Sequence, residues 1–152
     1  MSDPWGVART APLGTRGGRH EAIREADGSV TLVFAWPTNP LPMNGGRGHW
    51  RTHGRKVRDV RETSTWLAAL AVPWVARPLP KVRVHLTQYV TDARKRDADN
   101  LGQLAKAVVD GLTRAGVIAD DNDQIVTRVH PTITRTDGPA HFELTITREA
   151  TA

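Results

Sequence analysis

Residues 97–125, DADNLGQLAKAVVDGLTRAGVIADDNDQI, hold a periodic helix between two groups of carboxylates. Leu101, Leu104, Ala105, Val108, Val109 and Leu112 follow the i, i+3, i+4, i+7 series of a helix with one buried face. Gly116 is a good stop, so the spacing predicts a helix over residues 100–115. Asp97 and Asp99 precede it one residue apart, and in extended backbone residues i and i+2 point the same way. Both carboxylates then face one cation, and hard oxygen ligands of this kind suit Mg²⁺. Taken alone, the pair also fits a plainer reading in which Asp99 caps the helix and Asp97 is a solvated loop acid. Asp99, Gln103, Lys106 and Asp110 are spaced four, three and four, forming a polar stripe opposite the apolar face. Lys106 and Asp110 are an i, i+4 pair, and Lys106 on that stripe can also offset charge on a phosphate or an attacking water. Asp120, Asp121 and Asp123 follow the helix. Acids massed on one scaffold repel each other unless a cation holds them, which argues for a metal.

Outward from this stretch, residues 81–90 (KVRVHLTQYV) alternate, with Val82, Val84, Leu86 and Val90 on one face, as in a half-buried strand. Val57, Val60, Leu67, Leu70 and Ala71 recur at helical spacing and predict a helix over residues 56–72, ended or bent by Pro73. Residues 29–36 (SVTLVFAW) read as the first strand, after the Asp27-Gly28 turn. Residues 37–48, with three prolines and three glycines, read as loop. Residues 124–134 and 140–148 read as two strands around a Thr136-Asp137-Gly138-Pro139 turn. The order β, α, β, α, β, β predicts an α/β (α+β) fold: a small mixed sheet with two main helices packed on one side. Residues 1–27 read as a flexible basic arm, and residues 28–152 as a single domain.

The chain has 152 residues, 39% of them hydrophobic and 24% charged, which excludes a disordered or membrane composition. Its longest apolar stretch is broken by Pro73, the first residues hold no export signal, and cysteine is absent. Thiolate metal sites are thereby excluded, and a cytoplasmic protein without membrane contact is expected. The formal charge is +5, from 21 basic and 16 acidic side chains. Candidate DNA-backbone contacts are Arg47, Arg51, Arg55 and Lys56, together with Arg94, Lys95 and Arg96 directly before Asp97. Solvated faces and a solvated turn would produce the same charge pattern. The histidines lack metal-ligand spacing and receive no role.

The run RKRDADNLGQLAKAVVDGLTRAGVIADDNDQI resembles the signature of RusA-type Holliday-junction resolvases (crossover junction endodeoxyribonucleases) in its D-x-D-N, helical K-x-x-x-D, A-G and D-D elements. The resemblance extends weakly over most of the chain. It implies a RusA-like domain, with Asp97, Asp99 and Asp121 as essential metal-binding residues, Lys106 as the required helix lysine, and Asp110 as a supporting acid. Asn100 and Asp120, beside those ligands, are candidate supporting residues. The implied protein is a homodimer that uses Mg²⁺ or Mn²⁺ to cut four-way DNA symmetrically. The expected chemistry is in-line hydrolysis leaving 5′-phosphate and 3′-hydroxyl ends. Two other functions fit the same residues: a broader nuclease acting on flaps or replication intermediates, and a non-catalytic junction-binding module. One departure stands out. The family lysine usually lies four residues after the second Asp, where this chain has Gln103; three extra residues precede Lys106 and carry it about one turn farther along the helix.

Overall fold

The strongest periodicities in the sequence become the centre of the structure, a computed structural model that describes residues 16–43 and 50–150. The elements are β1 (Glu21–Arg24), β2 (Val30–Phe34), α1 (Trp50–Ala71), β3 (Val82–Val90), α2 (Gly102–Arg114), β4 (Val126–Arg135) and β5 (His141–Arg148). Short 3₁₀ turns at Trp74–Ala76 and Ala98–Leu101 precede β3 and α2. The five strands form one mixed sheet in the order β1-β2-β5-β3-β4, with β3 and β4 parallel and every other neighbouring pair antiparallel. The fold is α+β, with the two helices packed on the sheet, as the element pattern predicts.

β3 keeps the alternation read from its sequence, burying Val82, Val84, Leu86, Gln88 and Val90. Leu32, Phe34, Phe142, Leu144 and Ile146 share the core with Val60, Leu67, Leu104, Val108 and Leu112 of the helices. Each of these large side chains contributes roughly 1.5–3 kcal/mol on full burial. α1 buries its predicted Val60, Leu67 and Ala71 and packs Val57 against the core, and it departs from the predicted face at Leu70 alone. Leu70 is 55% exposed, and the buried positions are Val60, Ser64, Leu67, Ala68 and Ala71. The helices approach too closely at this point for larger side chains. Ser64 Oγ donates to the Val108 carbonyl at 2.6 Å, and a Cβ added to Gly111 would stand 2.5 Å from Ser64 Cβ. Where both helices end, Arg77 donates to the carbonyls of Ala69, Val72 and Ala115, so one guanidinium caps both C-termini.

Two connections differ from the sequence reading. The Asp27-Gly28 turn joins β1 to β2 in a hairpin, with Gly28 at φ +89° and the Ser29 N–H donating to Asp27 Oδ1. Residues 21–24, expected within the flexible arm, are therefore a strand. They escape notice because only Ile23 of the four is fully buried, too few for a visible alternation. Arg16 also belongs to the folded unit: its guanidinium bridges Glu25 and Glu143 beneath the sheet. The Thr136–Pro139 segment is not a hairpin turn, since β3 lies between β4 and β5. The rest of the expected arm, residues 1–15, lies outside the described residues. No helix among the described residues is long and apolar enough to cross a membrane.

Gly111→Ala is expected to destabilise the fold by about 1–3 kcal/mol, because Ser64 and the Thr65 backbone leave no room for the methyl group. An unchanged urea midpoint would show that the helices separate freely.

Candidate active site

The chain leaves β3 at Val90 and reaches α2 through a loop that carries the first acids. Asp97, in extended backbone, caps the 3₁₀ turn by accepting the Asp99 N–H at 2.9 Å. The capping residue is thus Asp97, where the sequence pointed to Asp99; the residue before α2 is Leu101, which offers no side-chain cap. The two carboxylates are brought together on one tight turn, with Asp99 79% exposed. A 3₁₀ turn defers the start of α2 to Gly102.

Asp121 lies elsewhere, beside Asp110 on the flank of α2. Arg128 Nη2 donates to the Asp121 carbonyl at 3.0 Å and stands 3.5 Å from its Oδ2. Lys106 Nζ is 3.9 Å and Arg61 Nη2 3.6 Å from the Asp110 carboxylate. Burial raises the Asp110 pKa first; the neighbouring Asp121 adds to the rise, while Lys106 and Arg61 oppose it. Asp120 sits at the head of its own turn, accepting the Asp121 N–H and the Asn122 amide, and these bonds hold its pKa down.

Among the described residues, no three His, Cys, Asp or Glu side chains converge to hold a metal. Asp97 and Asp99 fit a divalent cation as a two-carboxylate, water-rich site with hard oxygen donors. The third expected ligand, Asp121, is engaged with Asp110 and Arg128.

β4 faces both clusters. Arg128 touches Asp121, and two residues on His130 Nε2 lies 3.5 Å from Asp99 Oδ1. Two residues of strand span about 7 Å. A bulge explains the placement of His130: His85 pairs with Val129 and Thr87 with Thr132, so His130 and Pro131 together oppose Leu86. Bulges redirect side chains in this way. The sequence reading gave His130 and Arg128 no role, yet Pro131 inside an otherwise regular strand was the available signal of an irregularity.

A cleft of about 640 Å³ opens beside the first cluster, lined in part by Gln88, Arg94, Lys95, Arg96, Asp97 and Asn100. Basic triplet and first carboxylate thus share one surface. Arg96 donates to Asp92 at 2.7 Å, and that bond holds the exposed Asp92 carboxyl down to about 2. Asn39 donates to the Asn100 carbonyl, tying the proline-rich loop to the acidic turn. Arg51, Arg55 and Lys56 are exposed on the first turns of α1. Arg47, the remaining candidate for DNA contact, lies outside the described residues.

No protein-family model matches the chain. Among curated proteins, the crossover junction endodeoxyribonuclease RusA of Shigella sonnei is 34% identical over 122 residues, covering 78% of this chain and 94% of that protein. The crossover junction endodeoxyribonuclease RusA of Escherichia coli K12 is 29% identical over 126 residues, with the same shares covered.

Because the folded-state pKa of Asp110 is raised, its contribution to stability is present in acid and lost as pH rises through that pKa. Asp110→Asn removes the loss. Measured with EDTA, the unfolding midpoints of the two proteins should be closest below the ordinary carboxylate range and diverge in favour of the variant above it. A variant whose advantage is largest in acid would refute this assignment.

Proposed function

The chain belongs to the family of the crossover junction endodeoxyribonuclease RusA, and from that premise we propose that it is a divalent-metal-dependent endonuclease that resolves four-way DNA junctions. The observation that carries this reading is the turn that holds Asp97 and Asp99 together, with Asp97 lining one cleft beside Arg94, Lys95 and Arg96. Phosphate contacts and hard-oxygen donors are then adjacent, as cleavage of a DNA backbone requires.

Asp97, Asp99 and Asp121 are the residues that would hold Mg²⁺ or Mn²⁺. When bound, such a cation supplies Lewis-acid polarisation of the phosphate and a water that is nucleophilic at neutral pH. The protein's own part is orientation and charge. Asp97 fixes the turn that presents Asp99, while Lys106, 71% exposed, offers a cation to the phosphate or the developing negative charge. Arg94, Lys95 and Arg96 grip the backbone, with Arg51, Arg55 and Lys56 available along an adjoining arm of DNA. Hydrolysis in line with the leaving 3′-oxygen gives 5′-phosphate and 3′-hydroxyl ends. A homodimer would pair two such sites with the two equivalent strands of a junction. The expected setting is cytoplasmic.

One observation favours a second reading. Asp121 is held by Arg128 in a separate cluster, as suits a junction-binding module that does not cut. A synthetic mobile four-way junction, assayed beside matched duplex and flap DNA, separates the readings. The nuclease makes paired symmetric nicks on the junction with Mg²⁺, loses them with EDTA or with Asp99→Asn, and slows about a hundredfold or more with Lys106→Ala. Comparable cutting of flaps would identify the broader nuclease. Junction binding without cutting at any Mg²⁺ or Mn²⁺ concentration would leave only the binding module.

A further inference from the structure

Of the five inward-facing positions of β3, four are Val82, Val84, Leu86 and Val90, and the fifth is a glutamine. Gln88 is only 9% exposed. Several other buried polar side chains are bonded within the protein: Ser64 to the Val108 carbonyl, Arg16 to Glu143 and Glu25, His141 to Glu143 and the Pro139 carbonyl. No protein group bonds the Gln88 carboxamide among the described residues, and it is not one of the fully enclosed unpaired groups, so its polar end meets solvent in a cleft.

The unpaired group lies on the 640 Å³ cleft. Pro37, Pro42 and Leu101 give that cleft apolar walls, and Arg94, Lys95 and Arg96 bring cations to it. Asn39 uses its amide on the Asn100 carbonyl and its oxygen on the Leu41 N–H, so the wall opposite β3 is fixed. The volume lies within the range of pockets that enclose a small ligand, and no duplex can enter it. Apolar walls, the Gln88 carboxamide and adjacent cations together match a single nucleotide: a flat base, a donor-acceptor edge and a phosphate.

We propose that this cleft takes one unstacked base of branched DNA and that the Gln88 carboxamide reads the edge of that base. The inference rests on the preceding one for DNA as the ligand, and it adds a specificity-determining residue outside the acidic clusters. A carboxamide donates and accepts through adjacent atoms and so distinguishes base edges. A base at a branch point is already partly unstacked and enters at the lowest cost, which also favours branched over linear DNA.

The test is fluorescence-anisotropy binding of the full chain, in EDTA, to four-way junctions carrying each of the four bases or an abasic site at every position flanking the crossover. At one position the wild type should lose affinity for the abasic site and discriminate between bases by about tenfold. Gln88→Met should reduce that discrimination below about twofold without lowering the melting temperature. Gln88→Glu, which keeps the shape and removes the donor, should change which base is preferred. A wild type indifferent to base identity, or a Gln88→Met protein with an unaltered profile, would overturn the proposal. So would a Gln88→Met protein that melts earlier and loses affinity equally for every base, since that marks a structural role. Base-dependent binding without cleavage in Mg²⁺ would sink the nuclease reading alone, whereas cleavage without base dependence would sink this one alone.

Discussion

The parallel pairing of β3 with β4 is the constraint on which the rest of the arrangement depends. Two parallel neighbours cannot be joined by a tight turn, so the chain must cross back over the sheet, and α2 is that crossover. Thirteen residues of helix span about 20 Å and carry the chain away from the acids before α2. The chain then turns at Gly116 and returns along the helix, bringing Asp121 level with Asp110 and leaving Asp97 and Asp99 near the other end. β4 lies against both groups because it is the strand that the crossover reaches.

Helix packing holds this geometry. Ser64 and Gly111 let the helix backbones approach closely, and Arg77 ties the two C-terminal ends to one guanidinium. The volume given up by small residues at that crossing is recovered on either side by Val60, Leu67, Leu104 and Leu112. Trp66 and Leu70, whose apolar character suggests core, are left exposed on the outer side of α1.

Repulsion among the carboxylates is met locally. Asp121 has Arg128, Asp110 has Lys106 and Arg61, Asp99 has His130, and Asp92 has Arg94 and Arg96. Asp121, Asp110 and Asp92 thus each have a lysine or arginine close by, and such partly exposed pairs are individually weak. A divalent ion arriving at Asp99 or Asp121 would meet these contacts, and a phosphate backbone would draw the same arginines and lysines outward. Nearby lysines and arginines therefore share with a metal the task of offsetting the massed acids.

Composition and periodicity by themselves determined a small α+β domain, the two helices, the inward face of β3, and the acids and basic triplet of the candidate site. α2 and β3 were legible because their long, regular patterns have only one compatible period. β1 was not, with a single fully buried side chain, and on α1 one position was not, since Ser64 rather than Leu70 meets the other helix. Tertiary structure alone decided that β3 separates β4 from β5, that Asp121 stands with Asp110, that a bulge brings His130 to Asp99, and that the buried Gln88 carboxamide borders a cleft. The physical reason is common to all four. A periodic pattern fixes which side of its own helix or strand a residue occupies, while the neighbour across that side is set by strand order and by the course of the crossover.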